Sequence, residues 1–283
     1  MKIGIIGLGL MGASLGRAII KHTSHEVLGL DADDKITLRA TELAAQTRPL
    51  SNDDYKKLDL VIFALAPKVA VCEMRRVCPL LKDGATVADI CGNKRLIADE
   101  MKSLKAEFPA LHFIGTHPMA GREFSGIEYS TPDLFKGAYA ILVPVEDDYP
   151  IQILKDLYLE IGARGVEICT ASRHDEMIAY TSQLAHAVSS CFVQNPLSSQ
   201  HVGYSAGSFA DLTRVARLNP DIWTELFLQN ADNLSRCMDD IIDRLQAMNE
   251  AIKHGDGASL KAMLARGAAC KETADEAARR RDE

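Results

Sequence analysis

No two of the seven cysteines are spaced as C-x-x-C, and their number is odd. A zinc ribbon and a complete disulfide framework are therefore both excluded, and we expect a reducing compartment and no metal site. No apolar run approaches the ~20 residues of a membrane span, and the first residues lack the apolar stretch and cleavage site of a signal peptide. We expect a cytoplasmic protein without membrane contact.

An excess of basic charge is also absent. Lys and Arg number 32 against 39 Asp and Glu, a net charge of −7, which disfavours a nucleic-acid binder held by phosphate contacts and favours a small-molecule partner. Hydrophobic residues make up 47% and charged residues 25%, as in an ordinary globular protein. At roughly 100 to 200 residues per domain, the 283 residues predict two domains.

The first half of the chain alternates short apolar runs with helical patterns, which is typical of a parallel sheet with crossover helices. The predicted strands are Lys2–Ile6, Glu26–Leu30, Leu58–Ala64, Ala85–Asp89, Leu111–Gly115, Tyr139–Val143 and Gly165–Ile168. Apolar residues at three- and four-residue spacing predict helices over Met11–Lys21, Lys35–Ala45, Val69–Leu80, Leu96–Lys105 and Ile151–Ile161. We expect an α/β domain with a doubly wound sheet over residues 1–169.

From Thr170 onward the strand-like alternation disappears, and long amphipathic stretches cover about 171–194, 221–249 and 260–278. We expect an all-α domain over residues 170–283 that takes part in substrate binding and dimerisation. Its wide apolar faces predict a homodimer. The single tryptophan, Trp223, follows Pro220 at a helix start; we favour core packing over a place in a pocket wall.

A G-x-G-x-x-G sequence lies directly between the first strand and the first helix: Gly7, Gly9, Leu10, Met11 and Gly12 belong to it. In a Rossmann-type domain the first glycine permits a tight turn, the second lets the backbone approach a pyrophosphate, and the third allows close packing of helix on strand. The anion binds at the helix N-terminus. The alternative is a glycine-rich turn without a ligand.

Asp31 ends the second strand, 19 residues after Gly12. A carboxylate there hydrogen-bonds the ribose hydroxyls of a dinucleotide and repels a 2′-phosphate, which predicts NAD rather than NADP as the cofactor. The alternative is that Asp31 caps the next helix, within the Asp-Ala-Asp-Asp stretch at 31–34.

Ligands of open parallel sheets bind beyond the carboxyl ends of the strands. One such segment is rich in reactive side chains, Gly-Thr-His-Pro-Met-Ala-Gly-Arg-Glu at 115–123. We expect His117 to accept a hydroxyl proton while a hydride leaves for the nicotinamide, although a histidine after a strand is often structural. Arg122 is placed to pair with a substrate carboxylate.

These residues carry a resemblance to the prephenate/arogenate dehydrogenase family, the NAD(P)-dependent enzymes of tyrosine biosynthesis. The resemblance extends along essentially the whole chain. Its motifs are the 115–123 segment with Gly126 and the Leu-Phe-Lys-Gly-Ala run at 134–138, Ser-Gln-Leu-Ala-His at 182–186, and Ser-Phe-Ala-Asp-Leu-Thr-Arg-Val-Ala at 208–216.

The resemblance implies oxidative decarboxylation of prephenate, with His117 as the acceptor of the C4 hydroxyl proton. It also implies that Arg214 holds a substrate carboxylate and that His186 lines the substrate pocket, in a cleft between the two domains. A guanidinium suits the first of these roles, because it grips a planar carboxylate through two hydrogen bonds. Asp211, three residues before Arg214, is placed to orient it. Arg122 or Gln183 beside the substrate's side chain would favour a keto acid.

The chain departs from the family pattern after the strand that ends at Asp89. Many members have a serine that contacts the catalytic histidine, and Gly92 stands at that position here. Cys91, Asn93 or a water is the candidate replacement. Lys94 either adds positive potential near the leaving carboxylate or is an exposed lysine at a helix start.

Three interpretations of the function stay open. The first is an NAD-dependent prephenate dehydrogenase. The second is an arogenate or dual-specificity cyclohexadienyl dehydrogenase, in which the substrate side chain carries an amine. The third is a catalytically silent NAD-binding regulator, against which the joint presence of His117, His186 and Arg214 argues, since a binding module needs none of them.

Overall fold

The computed structural model describes residues 1–122, 124–146 and 151–282, and it contains an eight-stranded sheet of order β3-β2-β1-β4-β5-β6-β7-β8. All neighbouring strands are parallel except β6 and β7, which pair antiparallel. The strands are β1 Lys2–Ile6, β2 Glu26–Leu30, β3 Arg48–Pro49, β4 Leu60–Phe63, β5 Thr86–Asp89, β6 His112–Pro118, β7 Tyr139–Pro144 and β8 Gly165–Ile168.

Helices connect the strands, and the elements that follow β8 are all helical. The helices of the sheet region are α1 Leu10–His22, α2 Asp34–Glu42, α3 Pro67–Val77, α4 Arg95–Glu107 and α5 Gln152–Glu160. They are followed by α6 Ala171–Ile178, α7 Leu184–Val193, α8 Gly207–Thr213, α9 Pro220–Gln229, α10 Ala231–Lys253 and α11 Gly257–Asp282. Between α6 and α7 the chain does not leave the helix, because Ala179–Gln183 form a π-helical turn.

Both faces of the sheet are covered by apolar side chains. Along β4, Leu60 and Ile62 contribute to one buried cluster, whereas Val61 and Phe63 contribute to the other. Strands buried on both faces read as continuous apolar runs, which is why this part of the sequence shows no polar alternation. The predicted doubly wound α/β sheet followed by helices is confirmed.

One strand differs from its prediction in a way that affects the site. The predicted strand Leu111–Gly115 is observed as β6 His112–Pro118, so that His117 lies within the strand rather than in the loop after it. The reason is the antiparallel pairing with β7, in which His117 lies opposite Ile141. A prediction based on parallel strands alone ends β6 at Gly115, where its pairing with β5 ends.

The chain divides into two compact units, Met1–Ala231 and Asp232–Glu283. The first contains the whole sheet and helices α1 to α9. The second is built from the long helices α10 and α11. The predicted domain boundary, between residues 169 and 170, falls inside the first unit and stays a prediction.

Among the described residues, no helix combines the length and the apolarity needed to cross a bilayer.

Candidate active site

The loop between β1 and α1 has the backbone conformation that the glycine pattern requires. Gly7 has φ of +95°, and a Cβ added there would lie 2.4 Å from the carbonyl oxygen of Ala64. A Cβ at Gly12 would lie 1.9 Å from the carbonyl oxygen of Gly7, so that only glycine allows α1 to pack this closely on the strand end. At Gly9, in contrast, an added Cβ meets no atom within 4 Å, and the backbone is approachable.

The N-terminus of α1 is suited to an anion. Gly9 is the N-cap residue, and no side chain caps the free N–H groups of the first turn, which Leu10 and Met11 begin. Uncapped N–H groups and the helix dipole together favour a phosphate. The open backbone at Gly9 and this uncapped helix start fit the pyrophosphate of a dinucleotide.

Asp31 connects this loop to the end of β2. One carboxylate oxygen accepts the N–H of Leu8 at 2.8 Å, and the other accepts the N–H of Asp33 at 3.1 Å. The cap of α2 is Asp33, whose side chain accepts the N–H of Lys35 at 2.8 Å, so the capping interpretation of Asp31 is wrong. Each carboxylate oxygen has more than one acceptor position, which leaves Asp31 able to accept from ribose hydroxyls as well.

The side chain of His117 is the first of three that are linked by hydrogen bonds. Its Nδ1 lies 2.9 Å from Nε2 of His174, and Nδ1 of His174 lies 2.7 Å from a carboxylate oxygen of Asp175. His174 and Asp175 stand in the middle of α6 and are fully buried. His117 is partly buried, and its Nε2 makes no hydrogen bond with any described residue.

The carboxylate of Asp175 also holds the start of α4. It accepts the backbone N–H of Lys94 at 2.7 Å and of Arg95 at 3.0 Å, and Nε of Arg95 at 3.2 Å. These hydrogen bonds and the one from His174 outweigh burial and hold the pKa of Asp175 below its usual value. Asp175 is therefore ionised at neutral pH.

Lys94 is not an exposed lysine at a helix start, and that alternative is wrong. Its side chain is fully buried and its ammonium forms an ion pair with the equally buried carboxylate of Asp89 at the end of β5. The carboxylate of Asp89 also accepts the N–H of Thr116 at 3.2 Å and of Cys91 at 2.7 Å. A buried charge pair of this kind requires such additional hydrogen bonds.

His117 and His174 are both neutral at neutral pH. Burial is the main reason that the pKa of His117 lies well below 6.5, and the positive charge of Lys94 lowers it further. The pKa of His174 is also lowered by burial, although its hydrogen bond to Asp175 partly offsets this. An imidazole that is neutral at working pH is able to accept a proton.

The neighbours of Gly92 do not replace the family serine as a partner of His117. The thiol of Cys91 lies 3.4 Å from the carbonyl oxygen of Leu65, and the side-chain amide of Asn93 donates to the carbonyl of Leu226 at 2.7 Å. The observed partner of His117 is His174, which the sequence prediction missed. A Cβ at Gly92 would lie 3.4 Å from Leu226, an ordinary contact, so a serine would fit there.

Gln183 is used elsewhere in the fold, which corrects its predicted place at the substrate. Its side chain is 2% exposed. The amide nitrogen donates to Oδ1 of Asn93 at 2.9 Å and to the carbonyl of Leu226 at 3.3 Å, and the amide oxygen accepts from Asn230 at 2.8 Å. With both donor hydrogens used, the amide ties the π-helical turn to α9 and is not available to a ligand.

His186 lies in a second group of side chains. Its ring stacks on Trp223 with centroids 4.1 Å apart, and its Nδ1 lies 2.8 Å from the carbonyl oxygen of Ser182. Burial lowers its pKa, and the positive charge of Arg214 lowers it further, which puts Arg214 within electrostatic reach. Trp223 is partly buried, and its ring packs on His186 and edge-on against Phe227; its assignment to the core or to a pocket wall stays a prediction.

Arg214 is exposed and ends α8 as its C-cap residue. Within the described ranges Arg214 forms no ion pair, and the expected pairing with Asp211, which is also exposed, is not observed. Arg122 is exposed on the loop after β6, where it donates to the carbonyl of Tyr129 at 3.4 Å and lies over the ring of Phe124. Glu123, the last residue of the motif, lies outside the described residues.

His174 and Asp175 are the functional candidates that sequence reasoning missed. A signal was present: both occupy positions four residues before the buried Ile178 and Ala179, on the apolar stripe of a helix. Adjacent ionisable residues on such a stripe are buried only when they are hydrogen-bonded to partners.

Two family models match the chain. The model described as prephenate dehydrogenase, nucleotide-binding domain, matches residues 15–167, and the model described as prephenate dehydrogenase, dimerization domain, matches residues 170–266.

Curated relatives match most of the chain. A cyclohexadienyl dehydrogenase of Zymomonas mobilis is 29% identical over 267 residues, which are 90% of this chain and 89% of that protein. A prephenate dehydrogenase of Lactococcus lactis is 29% identical over 277 residues, which are 89% of this chain and 74% of that protein.

Solved structures share the fold. An arogenate dehydrogenase of Synechocystis superposes with a TM-score of 0.80 at 24% identity, covering 96% of this chain and 99% of that one. A prephenate dehydrogenase of Aquifex aeolicus in complex with hydroxyphenyl propionate and NAD+ superposes with a TM-score of 0.84 at 23% identity, covering 96% of this chain and 98% of that one. Since the two family models together span most of the sequence, the chain belongs to the prephenate dehydrogenase family.

Proposed function

We propose that this protein is an NAD-dependent prephenate dehydrogenase, which converts prephenate to 4-hydroxyphenylpyruvate in tyrosine biosynthesis. The observation that carries the proposal is the state of His117. Its imidazole is neutral, its Nδ1 is held by His174, and its Nε2 has no partner among the described residues. Such a nitrogen is suited to accept the proton of a substrate hydroxyl.

Names of the relatives support the same reaction class. Family members from Lactococcus lactis and Bacillus subtilis are named prephenate dehydrogenase, and the latter is 25% identical over 268 residues. The Zymomonas mobilis relative is named cyclohexadienyl dehydrogenase, which makes a dual-specificity enzyme the alternative. The substrate side chain distinguishes the two, and Gln183, with its amide already bonded, contributes nothing to that choice.

The loop after β1 would hold NAD, which supplies the hydride acceptor of the reaction. Gly7 and Gly12 fix the loop, Gly9 leaves its backbone approachable, and the uncapped first turn of α1 would hold the pyrophosphate. Asp31 would accept hydrogen bonds from the ribose hydroxyls. Its negative charge would repel the 2′-phosphate of NADP.

Side chains of the protein would accept the proton of the substrate and bind its carboxylate. Nε2 of His117 takes the proton of the C4 hydroxyl as the C4 hydrogen leaves as hydride, and the C1 carboxylate departs as carbon dioxide while the ring becomes aromatic. We assign the second carboxylate to Arg214, which has no ion-pair partner among the described residues and is therefore able to form two parallel hydrogen bonds. We assign His186 and Trp223, whose rings stack on each other, to one wall of the pocket.

We also infer that the protein is a homodimer. The matched model of residues 170–266 is that of a dimerization domain. Large apolar side chains of this region are exposed in the single chain, with Val202 at 80% and Leu228 at 71%, and α10 exposes Leu245 and Ile252 at 57% and 59%. Exposed apolar surface on this scale is typical of a protein interface.

The purified protein should form NADH from NAD and prephenate, and it should prefer prephenate to arogenate. The measurement is absorbance at the NADH band with each substrate and each cofactor. A higher kcat/KM for arogenate would identify the alternative enzyme. Absence of turnover with both substrates, together with measurable NAD binding, would contradict the proposed function and favour the silent regulator.

His117→Asn and Arg214→Gln should affect different kinetic constants. Loss of the proton acceptor in His117→Asn should lower kcat by about 10²-fold or more with little change in KM. Arg214→Gln should chiefly raise KM for prephenate, because a bound carboxylate loses its charged partner. Arg217→Gln, an exposed arginine three residues away, is the control. Normal constants in both variants would exclude these roles.

Asp31→Ser should reduce the preference for NAD over NADP, because the serine hydroxyl removes the charge that repels the 2′-phosphate. The quantity to measure is kcat/KM for each cofactor, and Asp34→Ser, at an exposed neighbouring position, is the control. An unchanged ratio of the two kcat/KM values in Asp31→Ser would remove Asp31 from this role.

Size-exclusion chromatography with light scattering should give twice the mass of the 30.9 kDa chain at micromolar concentration. Charged substitutions at exposed apolar positions, Leu245→Glu with Ile252→Glu, should lower the observed mass by disrupting the interface. A monomer in the parent protein would contradict the inferred homodimer.

A further inference from the structure

We propose that His174 and Asp175 are positioning residues that fix the tautomer of His117, so that its Nε2 carries the lone pair and accepts the substrate proton. This proposal rests on the proposed function of His117. It adds His174 as a hydrogen-bond partner of His117 in a chain that has Gly92 at the position of the family serine.

The protonation state of Asp175 is set by its surroundings. Its two oxygens accept four N–H groups: the backbone amides of Lys94 and Arg95, Nε of Arg95, and Nδ1 of His174. A carboxylate that accepts several N–H groups stays ionised and has no proton to donate. The hydrogen bond to His174 must therefore be donated by the imidazole.

The state of His174 follows from that of Asp175. Because Asp175 only accepts, the proton of His174 is on Nδ1, 2.7 Å from the carboxylate. A neutral imidazole carries one proton, so Nε2 of His174 is an acceptor. The ring is fully buried, and burial keeps its pKa below 6.5, which maintains this neutral form.

The state of His117 follows in the same way. Nε2 of His174 accepts, so Nδ1 of His117, 2.9 Å away, must donate. The single proton of neutral His117 is then on Nδ1, and the lone pair is on Nε2. In the opposite tautomer two acceptor nitrogens would face each other at Nδ1, and the nitrogen directed away from His174 would carry a proton and be unable to act as a base.

Four charged groups lie near the rings of His117 and His174, and the sign of each charge determines whether it stabilises or destabilises an imidazolium. Asp175 and Asp89 favour the cationic form of His174, whereas Lys94 disfavours the cationic form of both rings; Arg95 is bonded to Asp175. The imidazolium of His117 would donate through Nδ1 to His174, as the neutral ring does. The same contact therefore serves both protonation states without movement of either ring.

The competing explanation is purely structural, since Asp175 also ties the start of α4 to α6. Substitutions at His174 separate the two explanations because they leave the contacts of Asp175 with Lys94 and Arg95 in place. The side-chain amide oxygen of glutamine reaches the position of Nε2 and accepts a hydrogen bond, whereas phenylalanine has the shape of the ring and no acceptor.

His174→Phe should lower kcat by about 10²-fold with KM for prephenate and NAD changed less than about twofold, since a general base contributes on the order of 10² to 10⁴. His174→Gln should recover kcat to within about tenfold of the parent. Circular dichroism and the melting temperature identify any variant that fails to fold. Equal kcat in the two variants, or the parent kcat in His174→Phe, would overturn the proposal.

A second measurement needs no turnover. Two-bond ¹H–¹⁵N correlation spectra of the full protein, labelled with ¹⁵N-histidine, report which ring nitrogen is protonated, and His117→Asn assigns the signals. We expect the Nδ1–H form of His117 in the parent and in His174→Gln, and a shift toward Nε2–H in His174→Phe. An Nε2–H form in the parent would overturn the proposal whether or not prephenate is the substrate.

Asp175→Asn extends the test to the last of the three hydrogen-bonded side chains. An amide is able to donate to Nδ1 of His174, which reverses both tautomers and should lower kcat as far as His174→Phe does. The matched control is Glu176→Gln, the next carboxylate on α6, which is exposed and bonded to Arg173 at 2.7 Å. An Nδ1–H signal of His117 retained in a folded Asp175→Asn variant would refute the role of Asp175.

Discussion

A single buried carboxylate holds together the parts of this site that come from different regions of the chain. Asp175 is fully buried, and a charge without water is tolerated only when hydrogen bonds replace the lost hydration. Its donors come from the N-terminus of α4 and from His174 beside it. The position of α4, the orientation of the second imidazole and the protonation of His117 therefore depend on the same two oxygen atoms.

His117, the proposed proton acceptor, is part of the sheet, and charged groups are buried near it. Antiparallel pairing with β7 continues β6 through His117, and Thr116 is anchored to Asp89 at the end of the neighbouring strand. The ion pair of Asp89 with Lys94 places both signs of charge next to the imidazole. Because these contacts come from strands and helix starts, the geometry of the acceptor does not rely on the exposed loop that follows β6.

Much of the fold and the nucleotide loop could be predicted from sequence, because periodicity and glycine spacing are local signals. β1, β2 and β8 have their predicted bounds. The errors involve long-range pairing: β7 extends β6 past Gly115, and Asp89 draws Lys94 into the interior. The link from His117 to His174 spans 57 residues, and neither residue's neighbours in sequence indicate it.

The π-helical turn Ala179–Gln183 lies between His174 and His186 on one continuous helical segment. In a regular α-helix, side chains twelve residues apart point about 120° from each other, at about 100° per residue. A π-helical turn accommodates one extra residue, which reduces this angle to about 20°. The side chains of His174 and His186 thus point to nearly the same side of one continuous helix, and any tilt of that helix relative to the sheet displaces both side chains together.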